Sequence, residues 1–585
     1  MRLTKIVATI GPASDQPEIL EQLLKAGVDV ARLNFSHGSH AEQQARFARI
    51  RAAAEAVGKF VPIILDTKGP EVRLGKFSGG STVLKAGQSF VLYASERLGD
   101  SQGVSVSWPH LSADVEAGDT VLIDDGLLEL VVKAKQGPDL HCQVVVGGVV
   151  SDRKGVNIPG RTLNLPALSE QDMADIKLGV ELGVDFIAQS FVRDGADVLE
   201  LRRLLEEMGG DIPIIAKIEN RQGVANLDEI LKVADGIMVA RGDLGVEIPP
   251  EEVPLIQKRM IAACNRVGKP VITATQMLDS MIRSPRPTRA EASDVANAIF
   301  DGTDAVMLSG ETASGSYPLA AVETMARIAL HTEQALDNRS TSLRQQLTKR
   351  TANVTDAISH ASVQAAEDLM AAAIITPTAS GSTARMVSRY RPQMPIIAFV
   401  TKAKVARRLN LSWGVYPVSG PKVDDTDQMI KAAITSSLDQ GLIKNGDLVV
   451  LTAGVPVGVP GTTNLIKVHI VGDVLARGVG IGKDSVTGRV VSSKTAREAR
   501  EKMVPGSIVV AISTDKDYVP VLEQASGLVT EEGGLTSHGA IVALNLGLPV
   551  IVGVPGATSL LADGQLVTLD IPRGLIYRGA THIPS

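Results

Sequence analysis

Cysteine is nearly missing from this chain: Cys142 and Cys264 are the only two among 585 residues. Two thiols so far apart exclude a disulfide framework and a cysteine-built zinc site. Long apolar runs are missing too. None reaches the roughly 18–20 residues that a membrane-spanning helix requires. The opening stretch, 1–14, lacks a charged segment followed by an apolar one, so no membrane partner is expected and the cytoplasm is the expected location. Neither sign of charge dominates: 59 basic against 65 acidic side chains leave a net charge of −6. That balance gives no electrostatic case for nucleic acid or for an anionic lipid surface. Tandem repeats and low-complexity tracts are not found either.

What remains is a globular composition, 44% hydrophobic and 21% charged, on a chain too long for one ordinary domain. Up to about residue 335, short β-branched runs alternate with longer segments of helical period. The spacing predicts strands at 4–9, 28–33, 61–66, 185–190, 213–218, 236–240, 270–275 and 304–309. Eight such strands with helices between them predict a (β/α)₈ barrel. A Val-, Gly- and Ser-rich stretch between the third and fourth strands alternates with strand period and predicts an all-β insertion where a lid would sit. A polar bridge at 335–350 leads to a second α/β region, and a Gly- and Val-rich tail closes the chain. The expected domains are 1–70 with 164–340 (barrel), 71–163 (lid), 341–475 (α/β C domain) and 476–585 (an extra domain).

In a barrel of this kind, reacting groups come from the C-terminal ends of the strands. Here those ends are polar: Arg32, Asn34 and Ser36 after the second strand; Asp66, Thr67 and Lys68, then Arg73, after the third. Lys217 and Glu219 follow the fifth, Arg241 and Asp243 the sixth, Thr275 and Gln276 the seventh, Ser309 and Glu311 the eighth. Lys217 and Glu219, two apart on extended chain, share a face and form either a structural ion pair or part of a metal site. With Asp243, Glu219 supplies the two carboxylates that suit Mg²⁺. Gly242 and Gly245 let a substrate carboxylate approach backbone N–H groups. Asn34, Ser36, Asp66 and Thr67 offer neutral oxygens and one carboxylate. That set suits a monovalent cation, or ordinary hydrogen bonding among strand-end residues.

The stretches 5–12, 31–37, 65–73, 214–220, 240–245, 274–278, 285–291 and 307–312 resemble pyruvate kinase, in that family's order and over about 1–475. The resemblance implies a barrel, a lid and a C domain, usually in a homotetramer, transferring a phosphoryl group from phosphoenolpyruvate to ADP. It implies Glu219 and Asp243 as ligands of Mg²⁺ (or Mn²⁺), Lys217 as the cation facing the phosphoryl group, and Asn34, Ser36, Asp66 and Thr67 as the K⁺ site. Arg32, Arg241, Gly242, Asp243 and Thr275 fall on substrate positions, and Arg73 and Lys154 on nucleotide-phosphate positions. Thr275 with Ser309 and water would deliver the enolate proton. Glu71, the residue after Asp-Thr-Lys-Gly-Pro, accompanies a K⁺ requirement in the family.

In the C domain, Thr378, Ser380, Gly381, Ser382 and Thr383 form a hydroxyl-rich turn opening a helix, either plain capping or a phosphate site. The family uses this position for a phosphorylated effector; a sugar monophosphate or AMP is expected. The tail stretches 532–542 and 547–553 resemble the phosphohistidine domain of phosphoenolpyruvate-utilising phosphotransferases, with His538 at the phosphorylated position. Gly539 and Leu544 depart from the Ala and Arg common there, which favours a structural or regulatory module. A Mg²⁺-dependent barrel lyase and a catalytically dead sensor are the competing readings. The lyase has no use for the lid, and the sensor would have lost Lys217 or a metal carboxylate.

Overall fold

The computed structural model describes residues 1–336, 353–423, 425–455, 463–534 and 536–580. The polar bridge expected at 335–350 lies almost wholly outside them. The chain forms two compact units, one of Met1–Asp356 with Thr378–Ser419, the other of Ala357–Pro377 with Gly420–Ser585. Part of the expected C domain thus belongs to each.

The first unit is built on a closed barrel of eight parallel strands: β1 (Lys5–Thr9), β2 (Val30–Asn34), β3 (Ile63–Asp66), β4 (Phe186–Gln189), β5 (Ile214–Ile218), β6 (Gly236–Ala240), β7 (Val271–Ala274) and β8 (Ala305–Leu308). All lie within the expected spans except β2, which runs one residue further, to Asn34. Alternation sorts their side chains. Val7, Val30, Ile64, Ile215, Met238 and Ile272 pack together in one buried cluster. Their neighbours Ile6, Ile63, Ile214 and Ile237 join the larger cluster formed with the surrounding helices.

The floor of the barrel carries a fourfold pattern. Asp29, Asp185, Asp235 and Asp304 stand one residue before β2, β4, β6 and β8. Each carboxylate accepts the first N–H of the preceding odd strand or its neighbour: Ile6 at 2.8 Å, Ile63 at 3.0 Å, Ile214 at 2.9 Å and Val271 at 3.0 Å. Each is also met by an arginine: Arg2 on Asp29, Arg51 on Asp185, Arg202 on Asp235 and Arg391 on Asp304. Asp185 takes a second, Arg407 from the 378–419 segment, at 2.7 Å. These bonds satisfy strand-start N–H groups that would otherwise be buried without a partner and tie adjacent strands into pairs.

The insertion is β-structured, as expected, apart from one short helix, Leu111–Asp114. A six-stranded sheet runs in the order Val156–Asn157, Thr120–Ile123, Leu128–Gln136, Asp139–Val146, Ser89–Tyr93, Gly103–Ser105, with a separate pair of Ser81–Leu84 and Gly148–Ser151. Its own core includes Phe90, Leu92, Val121, Leu130 and Val144. Residues 378–419 add the parallel strands Ile396–Val400 and Val415–Ser419.

In the second unit, strand Ala373–Pro377 pairs in parallel with Leu448–Gly454, which pairs antiparallel with Thr463–Ile470. The tail forms an eight-stranded mixed sheet. Its parallel centre is Val486–Ser493, Ile508–Ala511, Gly527–Thr530 and Val550–Val552. Separate cores fill its two faces, one of them including Ala540 and Ala543 of helix His538–Leu546.

Candidate active site

The rim is assembled from the residues that end or leave each strand. Arg32, on β2, donates from Nε to Asp66 Oδ2 at 2.6 Å and from Nη1 to Thr9 Oγ1 at 2.9 Å. Lys217, on β5, donates to the other Asp66 oxygen at 3.0 Å and lies 3.1 Å from Glu219 Oε1. The shared face expected for Lys217 and Glu219 is therefore real. Phe191 N–H donates to Glu219 Oε2 at 2.6 Å. Asp243 lies close enough to Glu219 for the two carboxyls to influence each other, but on a short helix, Arg241–Glu247, after β6 rather than on extended chain.

Charge explains how these groups titrate. Burial alone would raise Asp66, but Arg32 and Lys217 outweigh it and hold the carboxyl below its ordinary range. Burial opposes the charge on Lys217 as well, yet Asp66 and Glu219 bring the ammonium to about 12. Burial, partly offset by Lys217 and reinforced by Asp243, pushes Glu219 up to about 7. Burial also raises Asp243; Lys217 pulls it down, and Asp125 and Glu71 of the inserted domain add to the rise. Two cations thus face three carboxylates, and the mismatch falls on Glu219 and Asp243.

That pair fits a hard divalent cation, which takes one or two protein carboxylates and fills its remaining positions with water and substrate oxygens. Among the described residues there is no group of three or more His, Cys, Asp or Glu arranged to hold a metal. The second oxygen set is also brought together. Asn34 and Asp66 are register partners; Asn34 Oδ1 accepts from Ser36 N–H at 3.1 Å. Thr67 comes directly after Asp66, its N–H bonded to Ala188 O. Part of this set is engaged in the plain strand-end hydrogen bonding that was the alternative to a cation site.

Around β7 the backbone is strained. Thr275 and Gln276 have φ of 67° and 54°, uncommon for side-chain-bearing residues and, at a β-branched threonine, costly. Thr275 Oγ1 accepts Gly242 N–H at 2.7 Å and donates to Ala274 O, so it holds the backbone turn opening the Arg241–Glu247 helix. Arg241 bonds Asp294 and the Thr275 carbonyl. Ser309 N–H is held by Glu311 at 2.7 Å; no hydrogen bond joins Ser309 to Thr275 among the described residues.

On the insertion, Arg73 and Lys154 sit on adjacent antiparallel segments, Arg73 paired with Glu71 at 2.7 Å and Lys154 with Asp124 at 2.8 Å. A cleft of about 350 Å³ opens beside the site, lined by Glu71, Val72, Ile158, Phe191, Asn220 and Glu247 among others. The turn at 378–383 lies elsewhere in the first unit and is braced internally: Gly381 N–H donates to Thr378 Oγ1 at 3.0 Å and Ser382 N–H to Ser380 Oγ at 3.4 Å, while Gly381, the N-cap of helix Ser382–Ser388, provides no side-chain cap. In the second unit, His538 begins helix His538–Leu546, exposed, with Nδ1 3.2 Å from Thr514 Oγ1. A Cβ at Gly539 would come within 3.1 Å of that same Oγ1, and Leu544 is 60% exposed.

The sequence reading passed over Ser190 and Phe191. Ser190 ends the DFIAQS run assigned to the fourth strand, and its polarity at a strand exit was the available signal. Phe191, at φ 55°, carries no signal in its residue type.

A barrel whose rim concentrates a buried lysine, an arginine and a carboxylate pair beside an inserted β domain fits a phosphotransferase, and the comparisons with known proteins show that class. Three family models match: pyruvate kinase, barrel domain, over 1–322; pyruvate kinase, alpha/beta domain, over 356–469; and PEP-utilising enzyme, mobile domain, over 503–574. The pyruvate kinase of Geobacillus stearothermophilus is 57% identical over 99% of both chains. That of Staphylococcus saprophyticus is 49% identical over the full length of both. A crystal structure of a pyruvate kinase from Cryptosporidium parvum superposes with a TM-score of 0.76 at 43% identity, over 80% of this chain and 96% of that one. The chain belongs to the pyruvate kinase family, in the form that carries the additional C-terminal domain.

Proposed function

We propose that the protein transfers the phosphoryl group of phosphoenolpyruvate to ADP, with a divalent ion (Mg²⁺ or Mn²⁺) held by Glu219 and Asp243 and K⁺ held by Asn34, Ser36, Asp66 and Thr67. The observation that carries this reading is the buried Arg32–Asp66–Lys217–Glu219 network ending on Asp243. When bound, the divalent ion would neutralise and orient substrate oxygens.

Phosphoryl transfer asks chiefly for positioning and for positive charge on the equatorial oxygens. Lys217, raised to about 12, stays an ammonium at neutral pH and supplies that charge from a fixed position. Arg32 is clamped by Asp66 and Thr9 and presents a second cation. At the turn braced by Arg241, the Gly242 N–H is held by Thr275 Oγ1, and a substrate carboxylate would take over that bond. Thr275, with Ser309 through water, is the proposed route for the enolate proton. Arg73 and Lys154 would leave Glu71 and Asp124 to meet the nucleotide phosphates as the lid closes.

The wider reading is that of the family: a cytoplasmic homotetramer activated by a phosphorylated metabolite, a sugar monophosphate or AMP, at Thr378–Thr383. The extra domain acts as a structural or regulatory module, with His538 as its candidate phosphohistidine. A lactate dehydrogenase-coupled assay tests the core of the proposal. Pyruvate should form only with phosphoenolpyruvate, ADP and a divalent ion all present, and fall steeply when K⁺ is replaced by tetramethylammonium. No turnover under full conditions would refute it.

A further inference from the structure

We propose that Ser190 is a positioning residue of the phosphoryl-transfer site, its hydroxyl joining the Lys217 ammonium to the Thr67 carbonyl and fixing both; this rests on the proposed roles of Lys217 and of the Asn34–Thr67 oxygen set.

A protonated lysine has three N–H groups and no acceptor. Lys217 finds three acceptors: Ser190 Oγ at 2.7 Å, Asp66 Oδ1 at 3.0 Å and Glu219 Oε1 at 3.1 Å. Because the ammonium can only donate, the serine oxygen must accept from it, and the single serine proton points elsewhere. Two oxygens are in reach: the Thr67 carbonyl at 2.6 Å and Asp66 Oδ1 at 3.4 Å. The shorter contact takes the proton. The result is a directed relay, Lys217 N–H to Ser190 O–H to Thr67 C=O, each bond polarising the next.

The serine is itself immobilised. It is 2% exposed, and its N–H donates to Thr67 Oγ1 at 3.1 Å. Gly69, at φ 75°, folds the loop after β3 so closely over it that a Cβ there would sit 2.7 Å from Ser190 Cβ. Water is thereby kept from the hydroxyl. Of the three groups holding Lys217, Ser190 alone is a hydroxyl rather than a carboxylate, so it holds the ammonium without adding negative charge beside the transferred group. Without it, the ammonium is drawn between the two carboxylates and away from the transferred group. The Thr67 peptide, one of the proposed K⁺ ligands, loses the bond that orients its carbonyl.

Ser190→Ala tests both ends of the relay. Turnover should fall by about 10²-fold, the size expected for misplacing a reacting cation by ~1 Å, with the KM for phosphoenolpyruvate within about threefold of the parent. Separately, K⁺ binding is read as thermal stabilisation in a KCl titration at constant ionic strength against tetramethylammonium chloride, with phosphoenolpyruvate present and ADP omitted. The K⁺ midpoint should rise by about fivefold or more, reflecting the lost preorganisation of the carbonyl. A variant matching the parent within about twofold in both turnover and midpoint overturns the proposal, as does either effect without the other. Absence of turnover, or of any K⁺ response, in the parent protein would instead refute the functional reading on which this rests.

Discussion

Replacing Lys217 by Met keeps most of the side-chain volume and removes one charge. The site then holds one cation, Arg32, against three carboxylates. Asp66 keeps Arg32 at 2.6 Å, and Glu219 keeps the Phe191 N–H, so neither loses every partner. Glu219 already stands at about 7 with Lys217 pulling it down. Without that pull it rises further, is neutral at pH 7, and leaves no unpaired buried charge to unfold the barrel. Folding should therefore survive, as judged by circular dichroism and thermal melting, while chemistry does not. Loss of a cation that acts on the transition state costs about 10³–10⁵ in rate, or about 4–7 kcal/mol at ~1.4 kcal/mol per tenfold. The coupled assay measures turnover. Deuterium exchange into the methyl group of pyruvate, followed by NMR, reports the proton-transfer half-reaction, which should lose much less. A Lys217→Met protein whose turnover stays within about tenfold of the parent would show that the lysine is a structural ion pair and that the transition-state argument is wrong.

Four further outcomes are expected from the geometry. Glu219 must lose its proton to bind a cation, and its raised position, about 7, means Mn²⁺ affinity should climb by close to tenfold per pH unit from about 5.5 to 7 and level off above; a flat profile by paramagnetic titration refutes it. The same shift has the opposite sign for the metal-free fold: Glu219 binds its proton more tightly folded than unfolded, so its contribution to stability falls as pH rises from the ordinary carboxylate range through about 7. Asp185→Asn takes the shared carboxylate from Arg51 and Arg407, both partly exposed, and should cost about 3 kcal/mol, the low end for breaking a buried pair; a urea-melt change under ~1 kcal/mol contradicts the role given to the aspartate floor. His538→Ala should leave turnover within about twofold, since its ring hydrogen-bonds Thr514 and Leu544 offers no charge to an incoming phosphate; a large loss with fold and metal binding intact would show that the histidine carries phosphoryl groups.

The barrel was legible because its strands are short β-branched runs at regular spacing, and burial on both faces gives parallel strands that signature. The insertion was legible for the complementary reason: its strands alternate, and alternation marks a sheet with one wet face. The tail was less so. Its central strands read as apolar runs, but helix His538–Leu546 is apolar at Ile541, Leu544 and Leu546, all exposed, so the usual polar-outside pattern that marks a surface helix is absent. The aspartate floor was invisible for another reason. Gly-Val-Asp at 27–29 and again at 183–185 repeats as residues, but at 233–235 the triplet is Val-Ala-Asp and at 302–304 Gly-Thr-Asp. What recurs is a backbone position, one residue before every second strand, and the arginines that answer it come from unrelated segments.

The site divides along the same line. Residues whose chemistry is in the side chain could be named from type and place: Lys217, Glu219, Asp243, Arg32 and Asp66 stand at strand exits, and the fold brings them to one network. Residues that act through backbone conformation or through another side chain could not. Phe191 matters because it sits at φ 55°, where its N–H is turned to Glu219, and no residue type announces that; Thr275 was named from its place after β7, but its φ of 67° was not legible. Ser190 had a hydroxyl at the right place, yet its weight comes from the groups on either side of it. A hydroxyl between an ammonium and a peptide carbonyl has its proton direction dictated by the first and delivered to the second. The cation proposed to face the phosphoryl group and the carbonyl proposed to face K⁺ are then set by one atom, so on that proposal a change at Ser190 moves both together.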